Sequence, residues 1–150
     1  MLTSLNGIDW EVVLKFPPVA LNDIVWSPEL SLLVAVLISE TTSSAIYTSS
    51  DAITWTSRTN ATYEVNALGY NVTVTVNSLT SVAWSPDLNL FASISKNGRI
   101  ITSPDGINWT YRGNPNGLVD GTNIIWASDR FIAVYQSGNS RVFTSFNGIN

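Results

Sequence analysis

Apolar residues in this chain cluster in short runs that are rich in aliphatic and aromatic side chains. Three of these runs cover residues 32–39, 90–95 and 131–136. Turn-forming residues such as Gly, Pro, Asn and Asp separate the runs, and no stretch repeats its apolar residues with the period of an amphipathic helix. The pattern predicts an all-β protein built from short strands.

A turn-like string recurs four times. Its consensus is T-S-x-[DN]-[GA]-I-x-W, and the copies begin at Thr3, Thr48, Thr102 and Thr144, the last one ending before its Trp. Asn-Gly and Asp-Gly pairs favour tight hairpins, so we expect type I′ turns with positive φ at both central residues. Ala52 replaces Gly in the second copy, and we expect that turn to be the least regular. The residues assigned to these turns are Ser4, Asn6, Gly7, Trp10, Ser49, Asp51, Trp55, Ser103, Asp105, Gly106, Trp109, Ser145, Asn147 and Gly148.

A second string, centred on Trp26, Trp84 and Trp126, precedes each apolar run. Successive copies of either string recur every 42 to 58 residues, with four short β-type segments in each full unit. Units of four strands at this spacing are typical of a β-propeller. The sequence therefore predicts propeller blades, with strands a to d running from the central channel outward. In the first full blade, strands a to d are predicted at residues 23–27, 32–39, 45–49 and 53–57, and in the second at 78–85, 90–95, 99–103 and 107–111. Strands a to c of a last blade are predicted at 122–126, 131–136 and 141–145. An opening c fragment and an opening d strand are predicted at 1–5 and 8–15.

The strand count suggests an assembly. We divide the chain into residues 1–20 with opening c and d strands, 21–77 with a first full blade and a long d–a loop, 78–121 with a second full blade, and 122–150 with a third blade that lacks strand d. Three blades are too few to close a ring, because propellers typically have about four to eight. We expect a two-fold homodimer that forms a six-bladed ring. The alternative, compatible with dimerisation, is a fragment of a longer single-chain propeller.

Residues 103–109, S-P-D-G-I-N-W, carry a family resemblance. They resemble the Asp box, the bacterial-neuraminidase (BNR) repeat S-x-D-x-G-x-x-W of sialidases and of many non-enzymatic propellers. Every copy lacks one residue between Asp and Gly, which is similar to the short S-x-D-G-x-x-W form of propellers likened to photosystem II assembly factors and of phage or environmental sequences. The resemblance implies a sialidase-like β-propeller whose Asp-box turns lie at the rim, away from any catalytic centre.

Composition narrows the possible chemistry. The chain has 11 acidic and 7 basic residues, a net charge of −4, no Cys and no His. A Ser-His-Asp triad, a disulfide, a thiolate nucleophile and a Cys-ligated zinc site are therefore excluded. We expect no cofactor. The scattered cations do not form the basic stripe that nucleic acid requires, and no signal peptide or membrane span is visible, so we expect a soluble chain without nucleic-acid or membrane partners.

The d–a connections, residues 58–77 and 112–121, differ most between repeats. Alternating Val and Thr at 72–76 favour an extra hairpin in the first connection. Loop residues often carry binding, although an ordinary solvated loop is the alternative. The candidate ligand-binding residues are Arg58, Tyr63, Tyr70, Arg112, Asn114 and Asp120.

Four aspartates could suggest a metal site or a carboxylate pair, but they lack the clustered oxygen ligands that calcium loops need. We assign Asp51 and Asp105 to turn capping, Asp87 to the turn after strand a, and Asp9 to an exposed strand position. No metal site and no catalytic residue is predicted from them.

The predicted function is a non-enzymatic β-propeller binding or scaffold module for a glycan or a protein. A sialidase-like glycoside hydrolase is one alternative, although it would need an arginine triad, a Tyr-Glu pair and an acidic residue. Two further alternatives are an assembly-factor-like role and a fragment of a larger propeller protein without independent function. The five arginines fit no F/Y-R-I-P motif of sialidases; they are Arg58, Arg99, Arg112, Arg130 and Arg141.

Overall fold

A computed structural model describes residues 2–12, 21–38, 44–117, 119–136 and 141–150. Within these ranges the chain forms fifteen β-strands and one short 3₁₀ turn at Pro115–Gly117, with no α-helix. The all-β prediction is confirmed. The strands are β1 (Leu2–Thr3), β2 (Glu11–Val12), β3 (Leu21–Ser27), β4 (Leu32–Leu37), β5 (Ile46–Ser49), β6 (Thr56–Arg58), β7 (Thr62–Ala67), β8 (Tyr70–Thr75), β9 (Leu79–Ser85), β10 (Leu90–Ser95), β11 (Ile100–Ser103), β12 (Thr110–Gly113), β13 (Gly121–Ala127), β14 (Arg130–Tyr135) and β15 (Arg141–Ser145).

Most strands form antiparallel blades whose order follows the chain. The first blade is β3-β4-β5-β6, the middle blade is β9-β10-β11-β12, and the last blade is β13-β14-β15. Strand β9 packs between β3 and β13, so the innermost strands of the three blades lie side by side. Two further pairs form separate sheets: β1-β2, the N-terminal hairpin, and β7-β8, the connection hairpin between the first two blades. The predicted extra hairpin is therefore present.

Two apolar clusters hold the blades together. One lies between the first and middle blades and includes Val34, Trp84 and Phe91, and the other lies between the middle and last blades and includes Phe131 and Tyr135. Burying one large apolar side chain contributes about 1.5–3 kcal/mol. The middle blade is covered on both sides, whereas the innermost strand of the first blade, β3, alternates between half-buried and exposed residues.

The outermost strands begin about three residues later than predicted. Strands d were expected at 53–57 and 107–111, but they are Thr56–Arg58 and Thr110–Gly113. The reason is that the turn before each strand continues up to its Trp. For the same reason Asp9 lies in a turn before β2, and the prediction of an exposed strand position for it is wrong. The opening d strand, predicted at 8–15, likewise begins later, at Glu11. Residues 1, 13–15 and 39 of the predicted strands lie outside the described residues.

The middle blade shows how the repeated turn is built. Oδ1 of Asp105 accepts hydrogen bonds from the backbone N–H groups of Ile107 at 2.8 Å and Asn108 at 2.7 Å, and from the Ser103 hydroxyl at 2.9 Å. The Ser103 oxygen accepts a bond from the N–H of Gly106 at 2.8 Å. A side chain therefore satisfies amides that strand pairing leaves free.

The type I′ prediction is wrong, because only the second central residue of each turn has positive φ. The angles are 74° at Gly7, 59° at Ala52, 71° at Gly106 and 72° at Gly148. The side-chain bonds of the preceding Asp or Asn fix the turn instead. In the Ala52 turn, Asp51 accepts bonds from the N–H groups of Ile53 and Thr54 at 2.8 and 2.7 Å, as Asp105 does from Ile107 and Asn108. The N–H of the second central residue bonds to the serine hydroxyl in the Gly7, Gly106 and Gly148 turns, but among the described residues the Ala52 turn lacks this bond and is the least regular, as expected.

The turn aspartates are held in their charged form. Burial raises the pKa of Asp105, but the bonds from Asn108, Ile107 and Ser103 outweigh it and lower that pKa from 3.8 to about 2. Bonds from the amides of Thr54 and Ile53 and from the Ser49 hydroxyl hold the pKa of Asp51 well below its usual range. Hydrogen bonds to a carboxylate favour its ionised form. The carboxylates of Asp51 and Asp105 therefore stabilise their turns by accepting hydrogen bonds.

Candidate functional site

The blades have two different ends. One end carries the a–b turns and the repeated c–d turns. The other end, the connection face, carries the b–c loops and the d–a connections, including the connection hairpin. Because successive strands are antiparallel, this division follows from the strand order. All six candidate ligand residues belong to the d–a connections or to the strand ends that flank them.

A tyrosine cluster lies where the connection hairpin meets the middle blade. The ring of Tyr63, on β7, stacks on that of Tyr111, on β12, with centroids 4.2 Å apart and planes inclined by 21°. The guanidinium carbon of Arg99 lies 5.4 Å from the Tyr63 ring centroid. All three side chains are half-buried. Burial and the neighbouring Tyr63 raise the pKa of Tyr111 and outweigh the lowering by Arg99, which favours the neutral form of the Tyr111 hydroxyl.

The two candidate arginines brace their blades. Nε of Arg58 donates to Oγ1 of Thr48 at 2.8 Å, and Nε of Arg112 donates to Oγ1 of Thr102 at the same distance. Each bond joins strand d to strand c of one blade, at equivalent positions of the repeat. Their guanidinium Nε groups are thus engaged within the blades.

Asn114 and Asp120 attach the second d–a connection to the neighbouring b–c loop. Nδ2 of Asn114 donates to the carbonyl of Asn97 at 3.1 Å, and the N–H of Asp120 donates to the carbonyl of Lys96 at 2.6 Å. The Asn114 Oδ1 atom is buried and, within the described residues, has no hydrogen-bond partner. The Asp120 side chain is exposed. Both residues therefore hold the second d–a connection against the b–c loop of the middle blade.

Tyr70 lies apart from the tyrosine cluster. It pairs with Ala67 at the tip of the connection hairpin, whereas Tyr63 pairs with Val74 near the hairpin base. The Tyr70 side chain is 77% exposed. The structure therefore brings Tyr63 into the cluster and leaves Tyr70 free in solvent.

A second polar region, which the sequence analysis did not single out, lies on the innermost strands. Oδ2 of Asp23 accepts bonds from the Ser81 hydroxyl at 2.6 Å and from the N–H of Val82 at 3.0 Å. The Ser81 oxygen also lies 3.0 Å from Oδ1 of Asn123. These contacts connect all three blades along the channel side. Asp23, Ser81 and Asn123 occupy one repeat position, so aligning the three a strands identifies them as equivalent polar positions.

The tyrosine cluster also contains residues that the sequence analysis did not assign to a site. Tyr111 lies two residues after Trp109, and Arg99 directly precedes β11. Alternation along strand d could have suggested that Tyr111 shares a face with Trp109. Its contact with Tyr63 depends on how the connection hairpin folds back, and sequence periodicity carries no signal for that.

Carboxylates do not gather into a metal centre in the described ranges. No group of three or more Asp and Glu side chains there is placed to hold a metal ion. Asp87 lies in the exposed turn after β9, as predicted. In the same part of the chain, no helix is long and apolar enough to cross a membrane.

Solved structures show the class of fold. The chain is similar to the structure titled nidogen/laminin complex, at 15% identity and a TM-score of 0.70, over 98% of this chain and 52% of that one. It is similar to YCF48 from Cyanidioschyzon merolae, at 19% identity and a TM-score of 0.60, over 89% of this chain and 36% of that one. It also matches the WD40 β-propeller domain of Doa1, at 12% identity and a TM-score of 0.57, over 87% and 39%.

These relatives are β-propellers, and the chain folds as part of a β-propeller. At such identities the likeness shows the fold alone. The chain spans about half the length of the nidogen/laminin chain, or 52%, and a smaller share of the other two. No protein-family model and no curated protein sequence matches it.

Proposed function

We propose that this propeller is a non-enzymatic binding or scaffold module whose connection face recognises a glycan or a protein. The observation that carries the proposal is the tyrosine cluster, in which two stacked rings and one guanidinium meet at the junction of a hairpin and a blade. The proposal includes the finer family likeness: the repeated turns are the short form of the Asp box and act as structural elements.

The chemistry of the cluster suits non-covalent recognition. Tyrosine and arginine are enriched at the energetic centres of interfaces, because they combine a large contact area with polar groups at one end. A tyrosine ring can pack on the apolar C–H face of a sugar while its hydroxyl bonds to a sugar hydroxyl. The rings of Tyr63 and Tyr111 already support one another, so little side-chain freedom is lost on binding.

The positions of three aspartates also support binding over hydrolysis. A glycosidase needs two carboxyl groups about 5–10 Å apart on either side of the scissile bond. Asp51 and Asp105 are bonded within turns at the opposite end of the blades, and Asp23 is bonded to Ser81 and Val82 on the channel side. Each of these three carboxylates accepts hydrogen bonds that hold a turn or join two blades.

The test combines a glycan array and a panel of surface proteins with a fluorogenic sialoside assay. Binding without turnover supports the proposal, and turnover of the sialoside contradicts it. Tyr63→Ala should weaken binding by about 10-fold or more, as expected for an aromatic side chain at the centre of an interface. Tyr70→Ala repeats the change at the hairpin tip, and Asp87→Asn changes the other end of the blades.

Each variant gives a defined outcome. Loss of binding in Tyr63→Ala, with binding retained in Asp87→Asn, places the ligand on the connection face. Equal binding by Tyr63→Ala and the unchanged protein would contradict a role for the tyrosine cluster. The effect of Tyr70→Ala then shows whether the ligand extends along the connection hairpin.

A further inference from the structure

The last blade has an unpaired edge. In the first and middle blades, strand c pairs with a strand d, as β5 does with β6 and β11 with β12. In the last blade, β15 pairs with β14, and its other edge carries no strand of the described chain. An open edge of this kind is a template for another strand.

A cavity lies beside that edge. It has a volume of about 330 Å³ and lies between the middle and last blades. Its apolar lining includes Ile100, Ile124, Phe131 and Phe143. The same place in the middle blade is occupied: Trp109 packs there on the first apolar cluster, with its ring centroid 6.3 Å from that of Phe91. The cavity is thus the place where the Trp of a strand d would lie.

The N-terminal hairpin has the missing parts. Its β2 follows Trp10, just as β12 follows Trp109. The hairpin forms a separate sheet, and Trp10 is 58% exposed and Val12 62% exposed. Within the described residues, one chain therefore contains a strand d that pairs with no blade and a blade without a strand d.

The registers of the two sites match. Thr102 pairs with Thr110 in the middle blade, and Thr3 pairs with Glu11 in the N-terminal hairpin. Thr144 occupies the position of Thr102 and Thr3 in the repeated string. A strand d donated to β15 in this register places Glu11 opposite Thr144.

The link between strands also has a suitable length. Eight residues separate β2 from β3, and seven separate β12 from β13, the connection that joins the middle blade to the last. The connection from β2 to β3 is therefore about as long as the connection that joins two adjacent blades, which is the length expected if β2 belongs to the blade next to the first blade. The three blades of the described residues are fewer than the roughly four that a closed propeller needs, so a closed ring that contains them needs further blades.

We infer that two copies of this chain exchange strand d: Trp10–Val12 of each copy completes the last blade of the other, and Trp10 fills the cavity beside Phe131. The result is a six-bladed ring with two-fold symmetry and two identical junctions. The half-exposed outer faces of the first and last blades, which include Trp26 and Ile125, become blade interfaces. Strand exchange and ligand binding at the tyrosine cluster involve different residues.

The exchange requires β2 to leave β1. The two strands share two residue pairs, whereas β11 and β12 share three. The donated strand therefore gains pairing as well as a buried Trp. Leu2 and the turn at 4–9 are displaced outward, because the equivalent turn of the accepting copy occupies the same place.

Light scattering on the full 150-residue chain measures the assembly directly. We expect a single species of twice the 16.3 kDa chain mass. A monodisperse monomer would overturn the inference, and so would an open series of larger species, since a closed two-fold ring stops at two.

Cross-linking tests the register, because the chain has no native Cys. Under oxidation, the double variant Glu11→Cys with Thr144→Cys should give a covalent dimer on a non-reducing gel. A cross-link within one chain, or no cross-link, contradicts the exchange. The matched variant Thr3→Cys with Glu11→Cys joins residues paired in the N-terminal hairpin. It should give a monomer whose dimerisation returns on reduction.

Single substitutions test the role of Trp10. Trp10→Ala should raise the dissociation constant of the dimer about 30-fold or more, as expected for a buried aromatic anchor, and Trp10→Phe should restore much of the affinity. Ile8→Ala changes an 81% exposed residue in the turn before the donated strand and should leave the mass unchanged. Equal dissociation constants for Trp10→Ala and Ile8→Ala would show that Trp10 does not fill the cavity.

Discussion

The indole N–H of Trp84 donates a hydrogen bond to the carboxylate of Glu29 at 2.7 Å. The bond crosses between blades, because Trp84 lies on the innermost strand of the middle blade and Glu29 in the a–b turn of the first. Trp84 is only 7% exposed, so its N–H has little access to water. The contact links two copies of the second repeated string, in which Trp and the acidic residue are three positions apart.

Replacing Glu29 tests how much this contact contributes. Glu29→Ala should destabilise the chain by about 1–3 kcal/mol, because it leaves a buried N–H without its charged acceptor. The midpoint of thermal unfolding should fall by several degrees. Asp87→Ala, at the same turn position of the middle blade, is the matched control. Equal effects of the two variants would mean that the inter-blade bond adds nothing.

The turn aspartates predict a dependence of stability on acid. The pKa of Asp105 in the folded chain is about 2, below its ordinary 3.8. Its contribution is therefore complete above pH 3.8 and is lost as the pH falls towards 2. Asp51→Asn combined with Asp105→Asn should fold, since Asn6 and Asn147 form the same turn. The double variant should lose less stability between pH 4 and pH 2.

Urea unfolding at several pH values between 2 and 5 measures this difference. Asp87→Asn changes the charge at an exposed turn and serves as the control. If the double variant and the unchanged protein lose the same free energy of unfolding over this range, the turn bonds do not govern the acid response.

Reciprocal exchanges of Gly and Ala separate backbone strain from packing. A Cβ atom at Gly106 would lie 2.9 Å from a Leu32 methyl carbon and 3.1 Å from one of Val34. Gly106→Ala should therefore cost about 2–4 kcal/mol, through overpacking and the positive φ. Ala52→Gly relieves strain alone and should stabilise by about 0.5–1 kcal/mol. Chemical denaturation measures both free energies of unfolding. If Gly106→Ala and Ala52→Gly change them by equal amounts in opposite directions, Leu32 and Val34 move aside without cost.

A buried tyrosine predicts an alkaline transition. The Tyr135 hydroxyl donates to the carbonyl of Gly98 at 3.2 Å, and burial raises its pKa from 10.0 to about 12. Its contribution is complete below pH 10 and falls as the pH rises towards 12, because the unfolded chain ionises first. Tyr135→Phe should cost about 1 kcal/mol at pH 7 and flatten the alkaline loss. Denaturation at pH 8 to 11.5, with Tyr70→Phe as the control, measures both.

Local sequence information predicts much of the blade structure. The alternating and apolar runs locate β10 and β15 at the predicted residues, Leu90–Ser95 and Arg141–Ser145. Strong periodicity and short connections leave few alternatives there. The sequence places the d strands about three residues too early, because an Asp-Gly pair alone predicts a two-residue hairpin. The Ser, Asp and Trp side chains instead build a longer turn, whose hydrogen bonds depend on three-dimensional geometry.

Contacts between blades were not predictable in the same way. The bond between Asp23 and Ser81 joins residues 58 positions apart, and no local pattern marks them as partners. The stacking of Tyr63 on Tyr111 likewise depends on the orientation of the connection hairpin. Repeat alignment identifies equivalent positions, but it does not say which of them meet across a blade boundary.

The burial of the middle blade on both sides has a consequence for local opening. Six of the seven residues of β9 are buried, whereas only one residue of β3 and two of β13 are. Amide hydrogens exchange slowly where opening must break the most packing. The slowest-exchanging amides should therefore lie in β9 and β10, and exchange should become faster towards both ends of the chain.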